Sequence, residues 1–354
     1  MASVSAIVSS PELFAAWQAR TPAPVQRVRQ GVWSVPVPVP NNPIRYTLCY
    51  LLVGDDGGVV VVDPGWDSDE GERALFAGMA LAGVRSADIS GIVATHLHPD
   101  HHGLSRRLLD AAPDAWVGMS PAEARSLELL RQTPEQRLAS ERAWWIAAGS
   151  DPSDPAIDPS GAVDERTHMF ETMPAPTLLL DDGDPIPIAG RSMRVIATPG
   201  HTPGHICLVD ENDDLILTGD HLLPRISPNV GLQSTASGSP LRQFLRSLET
   251  LTAYDYEALP GHQWRFRAAP ARARELIEHH RVRLAEVLAL LANTPMTAAA
   301  LAPALSWAHG WHELGPFQRR AAVAETISHL VYLVEEGRLT AQGIAPVVYS
   351  ARTA

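Results

Sequence analysis

The stretch that most limits how this chain can fold is THLHPDHHG, residues 95–103, which places four histidines and an aspartate within seven positions. Histidine is a weak helix former and a costly core residue, so neither a packed core nor a solvated helix asks for such a run. SGIVATH, which overlaps its first two residues, is a β-branched apolar run that reads as a buried strand. A strand ending in imidazoles and a carboxylate must deliver them to a site, which selects folds whose strand ends meet along one edge. His96 and His98, two apart, are expected at the strand end with their side chains on one face. Pro99 breaks the strand, and Asp100 and His101 turn back from a helix expected near 102–110. Imidazole and carboxylate are ligand types for zinc and similar divalent ions. A lone histidine is more often a satisfied polar residue; four ligand-type residues in six positions reverse that balance.

Three more stretches extend the pattern. TPGHTPGH carries His201 and His205 after the apolar run MRVIA, LILTGDH puts Asp220 after the next, and ALPGH puts His262 after YEA. Eight of the 14 histidines fall in these four stretches, each where a strand leaves the core, so chance is a poor explanation.

Around them, strand-like and helix-like runs alternate without repeats. GVWSVPVPVP, RYTLCYLLVG and GVVVVDPGW read as strands, and a helix capped by Asp67 or Ser68 is expected over about 68–83. Residues 121–175 look helical and then loop-rich (GSDPSDPAIDPSG), an insertion rather than a core element. After about 268 three helical stretches and the hairpin-like RLTAQGIAPVVYSA follow in winged-helix order, so the division expected is 1–268 and 269–354. The 354 residues carry only two cysteines, no apolar run of membrane-spanning length and no secretory signal pattern, so a cytoplasmic location is expected. All 28 basic residues are arginine, which excludes a Schiff-base or P-loop lysine. A net charge of −12 disfavours an extended nucleic-acid surface.

THLHPDHHG, TPGHTPGH, LTGD and LPGH, with VVVVDPGW upstream, resemble the five ordered motifs of the metallo-β-lactamase superfamily over about residues 45–265. The resemblance implies an α/β fold, the αββα metallo-β-lactamase sandwich, here with a helical insertion and a C-terminal winged-helix-like domain. It implies a first metal held by His96, His98 and His201, and a second held by Asp100, His101 and His262. Asp220 would bridge them together with a hydroxide. Two divalent ions are implied, zinc in first place, with iron or manganese compatible with the same ligands. Asp100 would also act catalytically, shuttling a proton. The implied activity is hydrolysis of an ester-like bond (thioester, lactone, ester or phosphodiester) in a small or medium substrate; the alternatives are a nuclease of the superfamily or a mononuclear iron dioxygenase.

Other residues receive plainer expectations. Asp63 in VVDPG matches a motif whose aspartate orients loops. His102, His205 and His221 are expected to support ligands, and Gly103, Gly200 and Gly261 to give backbone room. Trp144 and Trp145 are expected in helix packing, with a lid or substrate wall as the alternative, and Arg225 at the surface, with a contact to an anionic substrate as the alternative. Winged-helix members include endoribonucleases, but the third helix, AVAETISHLVYLVEEG, carries Glu325, Glu335 and Glu336 and no arginine. Its Val323, Ile327, Leu330, Val331 and Val334 form an apolar stripe, and Arg319 and Arg320 stand only at its entrance. Residues 281–354 hold six Arg against five Glu, a net of +1. Packing or homodimerisation is therefore expected of this segment, with a small-molecule substrate and no membrane or nucleic-acid partner.

Overall fold

The structure, a computed structural model, describes residues 6–131, 134–151, 169–232 and 238–352. One sheet has the order β2 (Gln26–Arg29), β3 (Val32–Pro38), β4 (Tyr46–Val53), β5 (Val59–Val62), β6 (Ile89–Val93), β7 (Trp116–Met119), β8 (Leu178–Leu179). The other has the order β1 (Ile7–Val8), β13 (Phe266–Arg267), β12 (Glu257–Pro260), β11 (Leu215–Gly219), β10 (Ile206–Asp210), β9 (Met193–Ala197). The first sheet is antiparallel from β2 to β5 and parallel from β5 to β8. The second is antiparallel apart from the parallel pair β11 and β12. A short helix, α1 (Pro11–Ala19), links the edge strands of the two sheets.

The pleat of β5, four consecutive valines, sorts the layers. Val60 and Val62 enter the core between the sheets, while Val59 and Val61 face Leu75, Met79, Leu104 and Leu108 around helices α2 (Asp69–Leu81) and α4 (Ser105–Ala111). Helix α2 begins where Ser68 Oγ accepts from Gly71 N at 3.0 Å, with three acids in its first turn suited to the helix dipole. On the far side, α7 (Pro240–Leu251) and α8 (Ala269–Leu291) cover the second sheet through Phe244, Leu248 and Leu276. The result is the expected αββα order. Pro36 and Pro38 sit within β3, but β2 pairs only Val32–Ser34, so neither proline breaks a ladder on that side.

The helix expected near 102–110 is two pieces, α3 (Pro99–His102) and α4, because Leu104 N donates to Gly65 O at 2.9 Å while Asp100 O, its helical acceptor, takes Thr47 Oγ1 at 2.8 Å. The insertion contains α5 (Pro121–Leu130) and α6 (Pro134–Ala147); most of GSDPSDPAIDPSG lies outside the described residues. Trp145 and Ala148 are buried in the main core, with Trp144 packed beside them. The end of α6 meets the C-terminal segment: Ala148 O accepts from Ala299 N at 2.9 Å and Ala147 O from Val347 N at 2.8 Å. That segment comprises α8, α9 (Ala298–Leu301), α10 (Pro316–Glu335) and the hairpin β14 (Leu339–Gln342) and β15 (Val348–Ala351). Val323, Ile327 and Leu330 of α10 are buried with Leu333, whereas Val331 and Val334 lie at the margin. These residues join the same apolar cluster as the sheets, so among the described residues the segment has no core of its own. No helix among them is long and apolar enough to cross a membrane.

Candidate metal centre

The ligand-type side chains lie beyond the strands rather than on them. β6 stops at Val93, His96 follows in a bend, and His98 in extended chain leads into α3. Asp63 explains the stop. It leaves β5 in the left-handed region (φ 51°), and its carboxylate takes Thr95 N and Thr95 Oγ1, each at 2.8 Å, in place of a backbone ladder. α3 then presents Asp100 and His101, the β9–β10 connection presents His201, and Asp220 and His262 follow β11 and β12. All seven expected residues converge.

They form adjoining groups. His96 Nε2 lies 3.0 Å from His98 Nδ1, which lies 3.2 Å from His201 Nε2. His262 Nε2 lies 3.3 Å from both His101 Nε2 and the Asp100 carboxylate. Asp220 stands between them, with Oδ1 at 3.5 Å from His101 and 3.3 Å from His262, and Oδ2 at 3.8 Å from His201. The sets His96–His98–His201, His96–His101–Asp220 and Asp100–His101–His262 each bring their ligand atoms within 4.8 Å of one another.

The donor set fits metal ions. Ring nitrogens bound about 2.05 Å from a tetrahedral zinc would be about 3.3 Å apart, close to the spacings here. Three converging imidazole nitrogens cannot all be satisfied by protons, but one cation accepts all three lone pairs. Asp220 Oδ1 is buried without a hydrogen-bond partner, an orphan that a cation would satisfy. Outer partners aim the rings. His101 Nδ1 donates to Asp63 at 2.8 Å, His201 Nδ1 to Asn229 O at 2.8 Å, and His262 Nδ1 to Tyr46 O at 2.9 Å; Thr95 Oγ1 lies 3.1 Å from His96 Nδ1. Each leaves Nε2 facing inward, while His98 alone offers Nδ1.

Charge divides the centre. Burial, reinforced by neighbouring imidazoles, holds His96 well below the usual histidine range and His98 down at about 3, and burial lowers His201, so all three are neutral donors. Burial opposes charge on His101 and His262 as well. There the carboxylates outweigh it: Asp63, Asp220 and Asp100 hold His101 well above its ordinary value, and Asp220 and Asp100 bring His262 to about 10. Burial would raise Asp100 and Asp220, but the same imidazoles keep both carboxylates low. Gly261 is required by closeness: a Cβ there would lie 2.6 Å from the His101 ring and 2.7 Å from Asp220 Oδ1.

Two supports had no sequence signal. Glu123, on the first turn of α5 and fully buried, accepts from Leu97 N at 2.8 Å and Gly204 N at 2.7 Å, so one carboxylate ties the His96–His98 segment to the His201 loop. Asn229 lends its carbonyl to His201, while its side chain donates to Glu325 of α10 at 3.0 Å. The C-terminal segment is thus two hydrogen bonds from His201, an expected ligand. His205 accepts from Asp220 N at 3.2 Å, and His102 contacts Ser105 Oγ at 2.7 Å and Pro174 O at 3.0 Å. His221 packs on Phe244.

Two facing sheets between helices, with ligand-type residues from several strand ends gathered at one edge, define an αββα fold built to hold metal. The family model described as Metallo-beta-lactamase superfamily matches residues 43–262, more than half of the chain, and the chain belongs to that superfamily. It is 27% identical over 335 residues to "Probable metallo-hydrolase YqjP" of Bacillus subtilis, covering 90% of this chain and 97% of that one. The crystal structure of metallo-beta-lactamase family protein TTHA1429 from Thermus thermophilus is similar with a TM-score of 0.78 and 34% identity, covering 92% of this chain and all of that one. That coverage takes in most of the segment after residue 268. A shorter likeness, 31% over 129 residues, relates 36% of this chain to 39% of the human "Acyl-coenzyme A thioesterase MBLAC2".

Proposed function

We propose that this protein is a metal-dependent hydrolase of ester-like bonds, with a thioester as the leading substrate class. The observation that carries the reading is Asp220, whose two oxygens face two imidazole groups while one oxygen lacks any hydrogen-bond partner. In our reading His96, His98 and His201 would hold one divalent ion and Asp100, His101 and His262 a second, with Asp220 available to both and zinc in first place. Such ions polarise a carbonyl and make bound water acidic enough to attack near neutral pH. The chain's own contribution is to aim the rings from behind and to keep Asp100 within 3.3 Å of His262, where it can take a proton from the attacking water. Thioester is preferred over the other ester-like bonds on the likeness to the human thioesterase.

The C-terminal segment, which we read as winged-helix-like, serves packing in this account. Arg242 of α7 lies over the Tyr332 ring and pairs with Glu335 and Glu336 at 2.8 Å each, contacts that support a packing role for α10 over a nucleic-acid one. Elemental analysis alongside turnover of thioester, lactone, β-lactam and phosphodiester panels tests the proposal. Thioester hydrolysis that disappears with a chelator and returns with zinc is expected. Full turnover by metal-free protein would overturn the proposal, and turnover of phosphodiesters alone would overturn the thioester assignment.

A further inference from the structure

The flank of the centre nearest His262 carries a built arrangement that the metal chemistry does not use. Arg45 and Arg225 both lie over the indole of Trp17 in α1, with guanidinium carbons 5.4 Å and 4.8 Å from its centroid. Trp17 is held edge-on by Trp264, at 4.9 Å between ring centroids. Both arginines adjoin groups that touch or neighbour His262. Arg45 precedes Tyr46, whose carbonyl receives His262 Nδ1, and Arg225 N donates to Oε1 of Gln263, the next residue in the chain, at 3.1 Å.

Three observations separate this from an accidental surface pair. First, the backbone is held in strain: Arg45 (φ 72°) and Gln263 (φ 74°) are non-glycine residues in the left-handed region, a conformation that persists where surrounding structure enforces it. Second, the Arg225 loop is fixed. Buried Arg272 donates to the carbonyls of Leu223, Arg225 and Ile226 at 2.8, 3.1 and 2.9 Å. Third, the charges are unmatched. Arg45 reaches only the Trp17 carbonyl and two rings, Arg225 reaches Trp17, and neither has a carboxylate partner among the described residues. In a chain with 40 acidic residues against 28 arginines, two guanidiniums sharing one ring without an acid are poised for an anion from outside.

We propose that Arg45 and Arg225, mounted on Trp17, form a subsite that binds an anionic group of the substrate lying outside its scissile bond. Arg45 Nη2 is taken by the Trp17 carbonyl, but the other guanidinium N–H groups of the pair have no hydrogen-bond acceptor among the described residues, and such groups take phosphate or carboxylate oxygens. This rests on the hydrolase reading for its place in the reaction, but binding can be measured without turnover.

The test compares the wild-type chain with Arg45→Gln, Arg225→Gln and Arg225→Lys, using three thioesters of one acyl group: with coenzyme A (phosphates), with glutathione (carboxylates) and with N-acetylcysteamine (uncharged). Calorimetric titrations with desulfo-coenzyme A and S-methylglutathione run beside them. A phosphate-binding subsite lowers the coenzyme A preference over N-acetylcysteamine at least 10-fold in either glutamine variant, through KM rather than kcat, and a carboxylate-binding one does so for glutathione. Arg225→Lys recovers part of the preference if charge, not shape, is read. Equal preference in all variants would overturn the subsite. If wild type turns over none of the three, the thioester reading falls, and calorimetry then decides: binding of either probe that weakens 10-fold in Arg225→Gln upholds the subsite, and absence of binding to wild type refutes it.

Discussion

Replacing Glu123 by Gln should loosen the metal centre although Glu123 touches no expected ligand side chain. The carboxylate is fully buried and accepts two short backbone hydrogen bonds, from Leu97 N at 2.8 Å and Gly204 N at 2.7 Å. Glutamine has the same shape but only one acceptor, so its amide would face an N–H and leave that donor buried and unpaired. Such an orphan costs about 1–3 kcal/mol. Burial raises the pKa of Glu123, so removing its charge recovers part of the loss, and a net destabilisation of about 2 kcal/mol is expected. At about 2 °C per kcal/mol for a chain of this size, the melting temperature should fall by about 4 °C. Glu123→Ala strips both acceptors and should cost about twice as much. Leu97 lies between His96 and His98, and Gly204 lies in the loop that carries His201, so the His96–His98–His201 site should release its ion first. Thermal melts and metal release to a chromogenic chelator read the two effects separately. A Glu123→Gln protein that melts within about 1 °C of wild type and releases metal at the same rate would refute the clamp.

Removing the chain after residue 268 should leave an insoluble or metal-free product, because Leu284, Val287, Ile327 and Leu330 complete the core that the sheets share; a soluble, metal-replete and active truncation, seen by chromatography and elemental analysis, would contradict this. Glu325→Ala should weaken metal retention without touching a ligand, since it frees the Asn229 side chain whose residue orients His201; chelator competition identical to wild type would count against the link. His329 is buried against His280, Arg283 and Glu325, and burial pushes it down to about 4, so the unfolded chain binds its proton first as pH falls. Stability should therefore drop between about pH 6.5 and 4, by at most about 3 kcal/mol from this group, and His329→Gln should flatten the slope by up to one proton in denaturant titrations; an unchanged slope would remove His329 from the account.

The sandwich fold and the clustering of the ligand-type residues were legible because both rest on local patterns. β-Branched runs mark strands that are buried on both faces, and ligand-type residues just past their ends mark the edge where strands meet. What the sequence hid depends on backbone groups or distant pairs. Glu123 sits in PAEARSLELL, which reads as an ordinary solvated helix face, and nothing local shows that its carboxylate points at two loops. Tyr46 and Asn229 act through carbonyls, which no residue type announces. Arg225 reads as a surface arginine because its partner, Trp17, stands in α1, remote along the chain. The strand ending at Val93 reads too long in the sequence for a related reason: the Asp63 carboxylate, not a neighbouring strand, takes the N–H of Thr95.

Anomalous diffraction at the zinc edge from zinc-loaded crystals tests the central claim most directly. The account predicts two peaks, one among His96, His98 and His201 and one among Asp100, His101 and His262, with Asp220 reaching both. Peaks remote from these residues, or a cluster that stays empty under saturating zinc, would contradict it.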